Sequence, residues 1–322
     1  MKKLYPLMFE PILKEKVWGG KKLQQLLGRN GNDKIGESWD ISGVEGSVSI
    51  VKNGSQSGKS LISLIETYKE TLVGKKIFDR FGTEFPLLFK FIDAAQDLSV
   101  QLHPNDVLAK KRHNSFGKTE MWYVLQAEEN ARLILGFNNK MNEANYLKAL
   151  SENRITEILN SAKVSKDDAF FLKPGLVHAI GAGILLAEIQ QTSDITYRIY
   201  DWDRPDNDGK MRELHNDLAL KAIDYSANEA KVPYTIRENE ISNLVSNTFF
   251  ETNKLLLTKP KHRDLSKIDC FVVYMCVEGE ALIEAEGFSE KLKIGDTILI
   301  PASFAEIVIN TTQTTLLEVY IP

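Results

Sequence analysis

Two stretches of this chain repeat one pattern. Asp168-Ala-Phe-Phe-Leu-Lys-Pro174-Gly-Leu-Val-His178 is echoed by Gly295-Asp-Thr-Ile-Leu-Ile-Pro301-Ala-Ser-Phe-Ala305. Each follows a similar pair of apolar runs, Met121 to Leu125 with Ala131 to Leu135, and Val272 to Cys276 with Ala281 to Ala285. Short runs rich in Val, Ile, Phe and Leu read as strands, and the proline that ends each repeat reads as a turn. Two copies of one β-unit are therefore expected, and 322 residues is enough chain for both. With the copies aligned, His178 falls opposite Ala305 and Glu120 opposite Phe271. The last histidine is His262, so the second copy has no imidazole. One copy reads as functional, the other as structural.

The rest of the chain fits a fold that is mainly β with minor α. Phe85 to Asp93 reads as a buried strand although it carries Lys90. Glu120 to Leu125, Ala131 to Gly136, Asp168 to Lys173, Gly183 to Gln190, Phe271 to Val277, Ala281 to Ala285, Thr297 to Ile300, Ile307 to Asn310 and Thr315 to Ile321 read as further strands. Their Gly, Pro and Asn punctuation points to a sandwich or barrel. Helices are expected over Leu61–Leu72, over Asn142–Asn160 in two pieces, and over Glu213–Tyr225. Residues 226–250 are polar and weakly periodic and read as a linker. The expected division is residues 1–240, carrying the helices and the chemistry, and residues 241–322, a degenerate copy without metal ligands.

A net charge of -4 offers nothing to nucleic acid, yet leaves room for a local basic pocket that takes a phosphorylated metabolite. Cys270 and Cys276 share one apolar run six residues apart, about 20 Å along a strand, too far for a disulfide. They read as buried small hydrophobes. No apolar segment has signal-peptide or membrane-spanning length. The expectation is a cytoplasmic enzyme or binding protein without nucleic-acid or membrane partners. The sequence names no oligomeric state.

The candidate chemistry begins at Leu98-Ser-Val-Gln-Leu-His103, which alternates apolar and polar residues before Pro104. On a strand, Ser99, Gln101 and His103 share one face. A hydroxyl, an amide and an imidazole in a row suit a binding site better than a solvated face. Glu120 opens an otherwise apolar strand, where an unpaired buried carboxylate would be costly. His178 follows Pro174-Gly-Leu-Val at the start of a turn. Two imidazoles, one carboxylate and one amide oxygen form a mixed N/O set that Zn²⁺ accepts, whereas Mg²⁺ or Ca²⁺ wants more oxygen. Lys118 shares the face of Glu120. Glu188 leaves an apolar run, and Arg198 stands among tyrosines, suited to a phosphate or carboxylate.

Ile35-Gly-Glu-Ser-Trp-Asp-Ile-Ser42, Gln101-Leu-His-Pro-Asn-Asp106, Gly117-Lys-Thr-Glu-Met-Trp-Tyr123, Pro174-Gly-Leu-Val-His-Ala-Ile-Gly181 and Glu188 through Arg204, taken in order, resemble the type I mannose-6-phosphate isomerases in their short bacterial form. The resemblance runs from about residue 5 to the C-terminus. It implies two cupin-like jelly-roll units, with one Zn²⁺ per chain in the first. It also implies interconversion of mannose 6-phosphate and fructose 6-phosphate through a cis-enediol. By matching position, the metal ligands are Gln101, His103, Glu120 and His178. Arg198, Glu188 and Lys118 take catalytic positions; Trp18, Lys90, Ser99 and Asp194 take substrate-binding ones. Glu188, or water activated at the metal, would carry the proton, and Lys118 and Arg198 would offset negative charge. The chain departs from the long forms: it lacks their Tyr-x-Asp-x-Asn-His-Lys-Pro-Glu stretch, and Ile180 replaces a tyrosine. The alternatives are a cupin oxygenase, which would show a His-x-His pair where Gln101 and His103 stand, and a non-catalytic sugar-phosphate-binding bicupin.

Overall fold

A computed structural model describes residues 3–206, 208–226 and 230–322. Its strands are β1 (Leu7–Met8), β2 (Ile12–Gly20), β3 (Ile35–Ile41), β4 (Leu87–Ala94), β5 (Val100–Leu102), β6 (Glu120–Ala127), β7 (Arg132–Phe137), β8 (Leu159–Lys163), β9 (Ala169–Leu172) and β10 (His178–Ile180). They continue with β11 (Ile184–Gln191), β12 (Tyr197–Tyr200), β13 (Ile241–Ser246), β14 (Glu251–Leu257), β15 (Lys261–Asp264), β16 (Val272–Ala285), β17 (Phe288–Lys293), β18 (Thr297–Ile300) and β19 (Glu306–Tyr320).

The pairing is antiparallel and falls into two matching sets. In the first unit, β4-β11-β6-β9 runs through one sheet and β5-β10-β7-β8 through a second. In the second unit the order β14-β19-β16-β18 repeats the first set. There β15 pairs with β19 and β17 with β16, which repeats the second set. Thus β16 runs through the places of both β6 and β7, and β19 through those of β10 and β11. Two jelly-roll β-units follow, and the helices, such as Leu61–Tyr68 and Glu143–Ser151, all lie in the first part of the described chain.

Alternation along β6 and β11 shows how the layers are built. Met121, Tyr123, Leu125, Leu185, Ala187 and Ile189 face a large core that also contains Val273, Leu317 and Val319 of the second unit. The opposite face carries Trp122, Val124, Ile184 and Leu186, which form the floor of the first cup. Such a sheet is buried on both faces, so its strands read as continuous apolar runs. The outer face of the second sheet, with Val100, Leu102, Ala179 and Tyr197, packs on helix residues Tyr146 and Ala219.

Several expectations are revised. The alternating strand is only Val100–Leu102. Leu98 lies outside the ladder and packs in the floor of the cup, away from Val100 and Leu102, because strand parity holds only within the paired residues. The helix expected over Leu61–Leu72 breaks at Lys69, whose φ is 49°. The break frees the carbonyl of Leu72 to accept from Ala302 N and that of Thr71 to accept from Ser303 N, at 2.9 and 3.1 Å. Asn142 caps the helix Glu143–Ser151, and Ile155–Ile158 forms the second helical piece. Only Asn216–Leu220 of the third helix forms, since His215 N is drawn to Arg198 O at 2.7 Å. The linker expected over 226–250 contains strand β13, and its residues 227–229 lie outside the described residues.

The runs Phe271–Val277 and Ala281–Ala285 are one strand, because Gly279 (φ +72°) stays in the ladder opposite Thr314, between register shifts at Cys276/Glu278 and Glu280/Leu282, rather than forming a turn. Ile307–Asn310 and Thr315–Ile321 likewise fuse into β19. The N-terminal strand β1 crosses the expected 240/241 division, pairing Leu7 with Leu299. Both cysteines are free and buried. The aligned repeat also shifts: Glu120 pairs with Leu172, but Leu299, two residues before Pro301, pairs with Val273 and not with Phe271. The second unit holds a buried polar network of its own. Arg263 binds Glu318 through Nε and Nη2, and Tyr274 and Asn253 donate to the same carboxylate.

Candidate metal centre and active-site cavity

The short strand β10 builds the centre. His178 pairs directly with Gln101 of β5 on one side and with Leu135 of β7 on the other. His103 lies two residues beyond Gln101, and Glu120 opens β6. One ligand atom from each of His103, Glu120 and His178 lies within 4.8 Å of the others. Glu120 Oε1 is 3.3 Å from His178 Nε2 and 3.7 Å from His103 Nε2. All three residues are buried, and none of these three atoms has a hydrogen-bond partner among the described residues. Three orphaned polar atoms converging in a protein interior are costly unless something fills the space between them.

The other ring nitrogens are fixed. His103 Nδ1 donates to Ile195 O and His178 Nδ1 to Leu176 O, both at 2.8 Å. That leaves each Nε2 lone pair pointing at the centre, the arrangement that metal-binding imidazoles need. Burial takes His178 down to about 4 and His103 well below its ordinary value, so both rings are neutral near pH 7. Burial pushes Glu120 up to about 7 against the pull of Lys118. Lys118 Nζ is 2.9 Å from Glu120 Oε2, so one carboxylate oxygen meets the ammonium and the other the centre. Gln101 supplies an amide beside His178. Two nitrogens, a carboxylate oxygen and an amide oxygen fit a borderline divalent cation with a position left open.

Above the centre lies a cavity of about 460 Å³. Gln101 and His178 reach its wall, and His103 and Glu120 sit behind them. Trp18, Lys90, Ser99, Lys118, Glu188, Asp194 and Arg198, all singled out in the sequence, line it too. Ile180, in place of the long-form tyrosine, makes the wall there apolar. The sheet register explains one row of this lining: Trp39, Lys90, Glu188 and Trp122 are successive cross-strand partners on β3, β4, β11 and β6. Lys90 Nζ is 2.8 Å from Glu188 Oε1, and Trp122 Nε1 donates to Glu188 Oε2 at 2.8 Å. Burial alone would raise Glu188; Lys118 and Lys90 overcome it and hold the carboxylate down to about 2. The lining holds six cationic side chains against three carboxylates, so an overall acidic chain carries a positive cavity.

Comparison with known proteins agrees with this geometry. Residues 7–132 match the family described as phosphomannose isomerase type I, catalytic domain. Residues 240–321 match the mannose-6-phosphate isomerase cupin domain. The chain is 35% identical over 305 residues to the mannose-6-phosphate isomerase ManA of Bacillus subtilis, covering 94% of each. It is 32% identical over 299 residues to the mannose-6-phosphate isomerase of Streptococcus mutans, covering 92% of each. The crystal structure of a mannose 6-phosphate isomerase from Bacillus subtilis superposes with a TM-score of 0.90 at 30% identity, covering 99% of this chain and 100% of that one. The chain belongs to the type I phosphomannose isomerase family. It is therefore an enzyme, and its activity is that of a sugar-phosphate isomerase.

This family member also lines its cavity with residues that the sequence reading passed over: Lys14, Lys16, Glu37, Trp39, Thr196 and Arg212. Four of them carried the same period-two signal as Ser99 and Gln101. Lys14, Lys16 and Trp18 alternate on β2, and Glu37 and Trp39 alternate on β3. Glu37 is bound by Lys16 Nζ at 3.1 Å and by Trp39 Nε1 at 2.6 Å. Lys14 Nζ donates to Ser47 Oγ at 2.7 Å and lies 4.8 Å from the Trp39 ring centroid. Arg212 had no local signal; it arrives from a loop.

Proposed function

We propose that the chain interconverts mannose 6-phosphate and fructose 6-phosphate through a cis-enediol, with one Zn²⁺ held by Gln101, His103, Glu120 and His178. The observation that carries this reading is the trio of buried, unpartnered donor atoms beneath a positive cavity. When bound, the metal would supply electrophilic polarisation of the substrate oxygens at C1 and C2. The remaining tasks fall to side chains. Lys118, raised by Glu120 and Glu188 despite burial, stays an ammonium and offsets charge that develops on those oxygens.

Glu188 carries the proton between C1 and C2. In the empty cavity two lysines keep it a weak base. Substrate oxygens that draw Lys118 and Lys90 toward themselves release that restraint, and burial then lifts the carboxylate toward the working range. Trp18, Ser99 and Asp194 line the space left for the sugar. Among the described residues no helix is long and apolar enough to cross a membrane. Charged sugar phosphates do not cross membranes unaided, which favours the cytoplasm as the site of action.

A coupled assay for fructose 6-phosphate formed from mannose 6-phosphate tests the reading. Turnover should vanish with a chelator and return with Zn²⁺. His178→Ala should lose both activity and bound metal by elemental analysis. Full metal occupancy in that variant, or turnover indifferent to the chelator, defeats the ligand assignment.

A further inference from the structure

Lys118 is a buried ammonium carried by a stretch with no ladder of its own. Residues 116–119 belong to neither a helix nor a strand. Yet Lys118 Nζ is held between Glu120 Oε2 and Glu188 Oε1, at 2.9 and 3.9 Å. Glu120, two residues on, is paired on both sides, with Gln190 of β11 and Leu172 of β9. The metal-ligand carboxylate and the neighbouring ammonium are therefore fixed by different means.

Three successive N–H groups do the fixing at Lys118. Gly117 N donates to Asp106 Oδ1 at 2.8 Å, Lys118 N to Pro104 O at 3.1 Å and Thr119 N to Gln191 Oε1 at 2.9 Å. Gln191 N donates in turn to Thr119 O at 3.1 Å, so one residue takes both backbone groups of Thr119. Gln191 Nε2 donates to Asp106 Oδ1 at 3.0 Å and closes the ring of contacts. The fit is tight, since a Cβ on Gly117 would meet Asp106 N at 2.5 Å. Gln191 ends β11, three residues past Glu188, and strand parity turns it away from the cavity. Neither Gln191 nor Asp106 lines that cavity. Two side chains that the substrate does not reach thus hold the backbone beneath one that it does.

We propose that Gln191 and Asp106 are positioning residues for Lys118, their clamp on residues 117–119 setting the ammonium between Glu120 and Glu188. The proposal rests on the reading above that Lys118 offsets charge developing on the substrate oxygens. A group of that kind acts in the transition state, so displacing it lowers kcat and leaves substrate binding in place. The metal should stay as well, because Glu120 keeps its own ladder on both sides.

Steady-state kinetics and elemental analysis on the metal-loaded protein test it. Gln191→Met removes both amide contacts and keeps the length of the side chain. Its kcat should fall roughly 10- to 100-fold, with KM within about threefold of the wild type and metal content full. Asp106→Ala should do the same. Asp106→Asn keeps an oxygen for Gly117 N and should bring kcat back to within about fivefold of the wild type. If Gln191→Met does not fold, the two Asp106 variants decide. A clamp that serves stability alone would lower Tm and leave kcat unchanged below the melting range, which overturns the proposal. So does loss of metal together with kcat in a folded Gln191→Met variant, or an Asp106→Asn variant no better than Asp106→Ala. Lys118→Met separates this from the reading beneath it. That variant should lose at least as much kcat as Gln191→Met. Normal turnover in Lys118→Met defeats the charge-offset reading and the proposal with it. A loss in Lys118→Met that neither Gln191→Met nor Asp106→Ala shares leaves Lys118 in its role and refutes the clamp alone.

Discussion

Glu188 concentrates the electrostatics of the cavity at one residue. Burial opposes its charge, and Lys118 and Lys90 restore it, holding it down to about 2. A carboxyl whose folded value lies below its ordinary one contributes stability that is full above about pH 4.5 and is lost as pH falls toward about 2. Removing a cation reverses the shift. Lys90→Met should raise the Glu188 value by about one pH unit or more. Its kcat/KM should then decline on the acid side at a pH where the wild type is still flat. A pH–rate profile checks this, and superimposable acid limbs would exclude Lys90 as the group that holds Glu188 ionised. Glu188→Gln should cost about 10²- to 10⁴-fold in kcat if Glu188 carries the proton. A variant that keeps most of its activity removes Glu188 from that role. At this scale the sequence was most legible where a side chain sits on a paired strand: Gln101, Glu120 and Glu188 follow from parity and from a charge in an apolar run. The same rule covers Lys16 on β2 and Glu37 on β3. Arg212 was illegible because its place depends on Asp201, eleven residues back, and no local period records a loop closing over a cavity.

At the scale of elements, the turn between β9 and β10 does more for the centre than its length suggests. Gly175 N donates to His103 O at 2.9 Å, and Asp224 N donates to Gly175 O at 2.9 Å. The next residue, Leu176, supplies the carbonyl that orients His178. Gly175 has φ +88°, and a Cβ there would meet Ala222 O at 2.6 Å. A side chain at this position is strained by its backbone and by the 222–224 segment at once. Gly175→Ala should therefore loosen both histidines and weaken metal binding roughly 10- to 100-fold, as loss of orienting contacts around ligands does. Competition with a chelator measures it; unchanged metal affinity alongside a lowered Tm would show that the turn serves stability alone. The Pro-Gly signal made this turn readable in the sequence. The fusion of runs into β16 was not readable, because Gly279 punctuates a ladder in the same letters that end a strand elsewhere.

Across the whole molecule, one β-architecture is used twice with opposite interiors. The first unit gathers polar atoms that have no partners of their own, and leaves a cavity above them. The second closes its buried carboxylate on its own side chains: Glu318, fully buried, is bound by Arg263, Tyr274 and Asn253. The repeat in the sequence showed the missing histidine of the second copy, but not this network. Its members come from β14, β15, β16 and β19, which only the folded barrel brings together. The two units share a core in which Met121 and Ile189 of one meet Val273 and Leu317 of the other, so the second unit covers the back of the sheet that presents Glu120 and Glu188. Breaking the closed network should then cost stability without touching chemistry. Arg263→Met leaves a buried carboxylate unpaired and should destabilise the chain by about 3–5 kcal/mol. Adding Glu318→Leu removes the stranded charge and should recover a large part of that loss. Below the lowered melting range, both variants should bind metal and turn over substrate as the wild type does. Denaturant melts read alongside kcat and metal content separate the cases. A folded double variant with recovered stability but lost activity would mean that the second unit reaches into the reaction, and that the division of labour between the two cups is wrong.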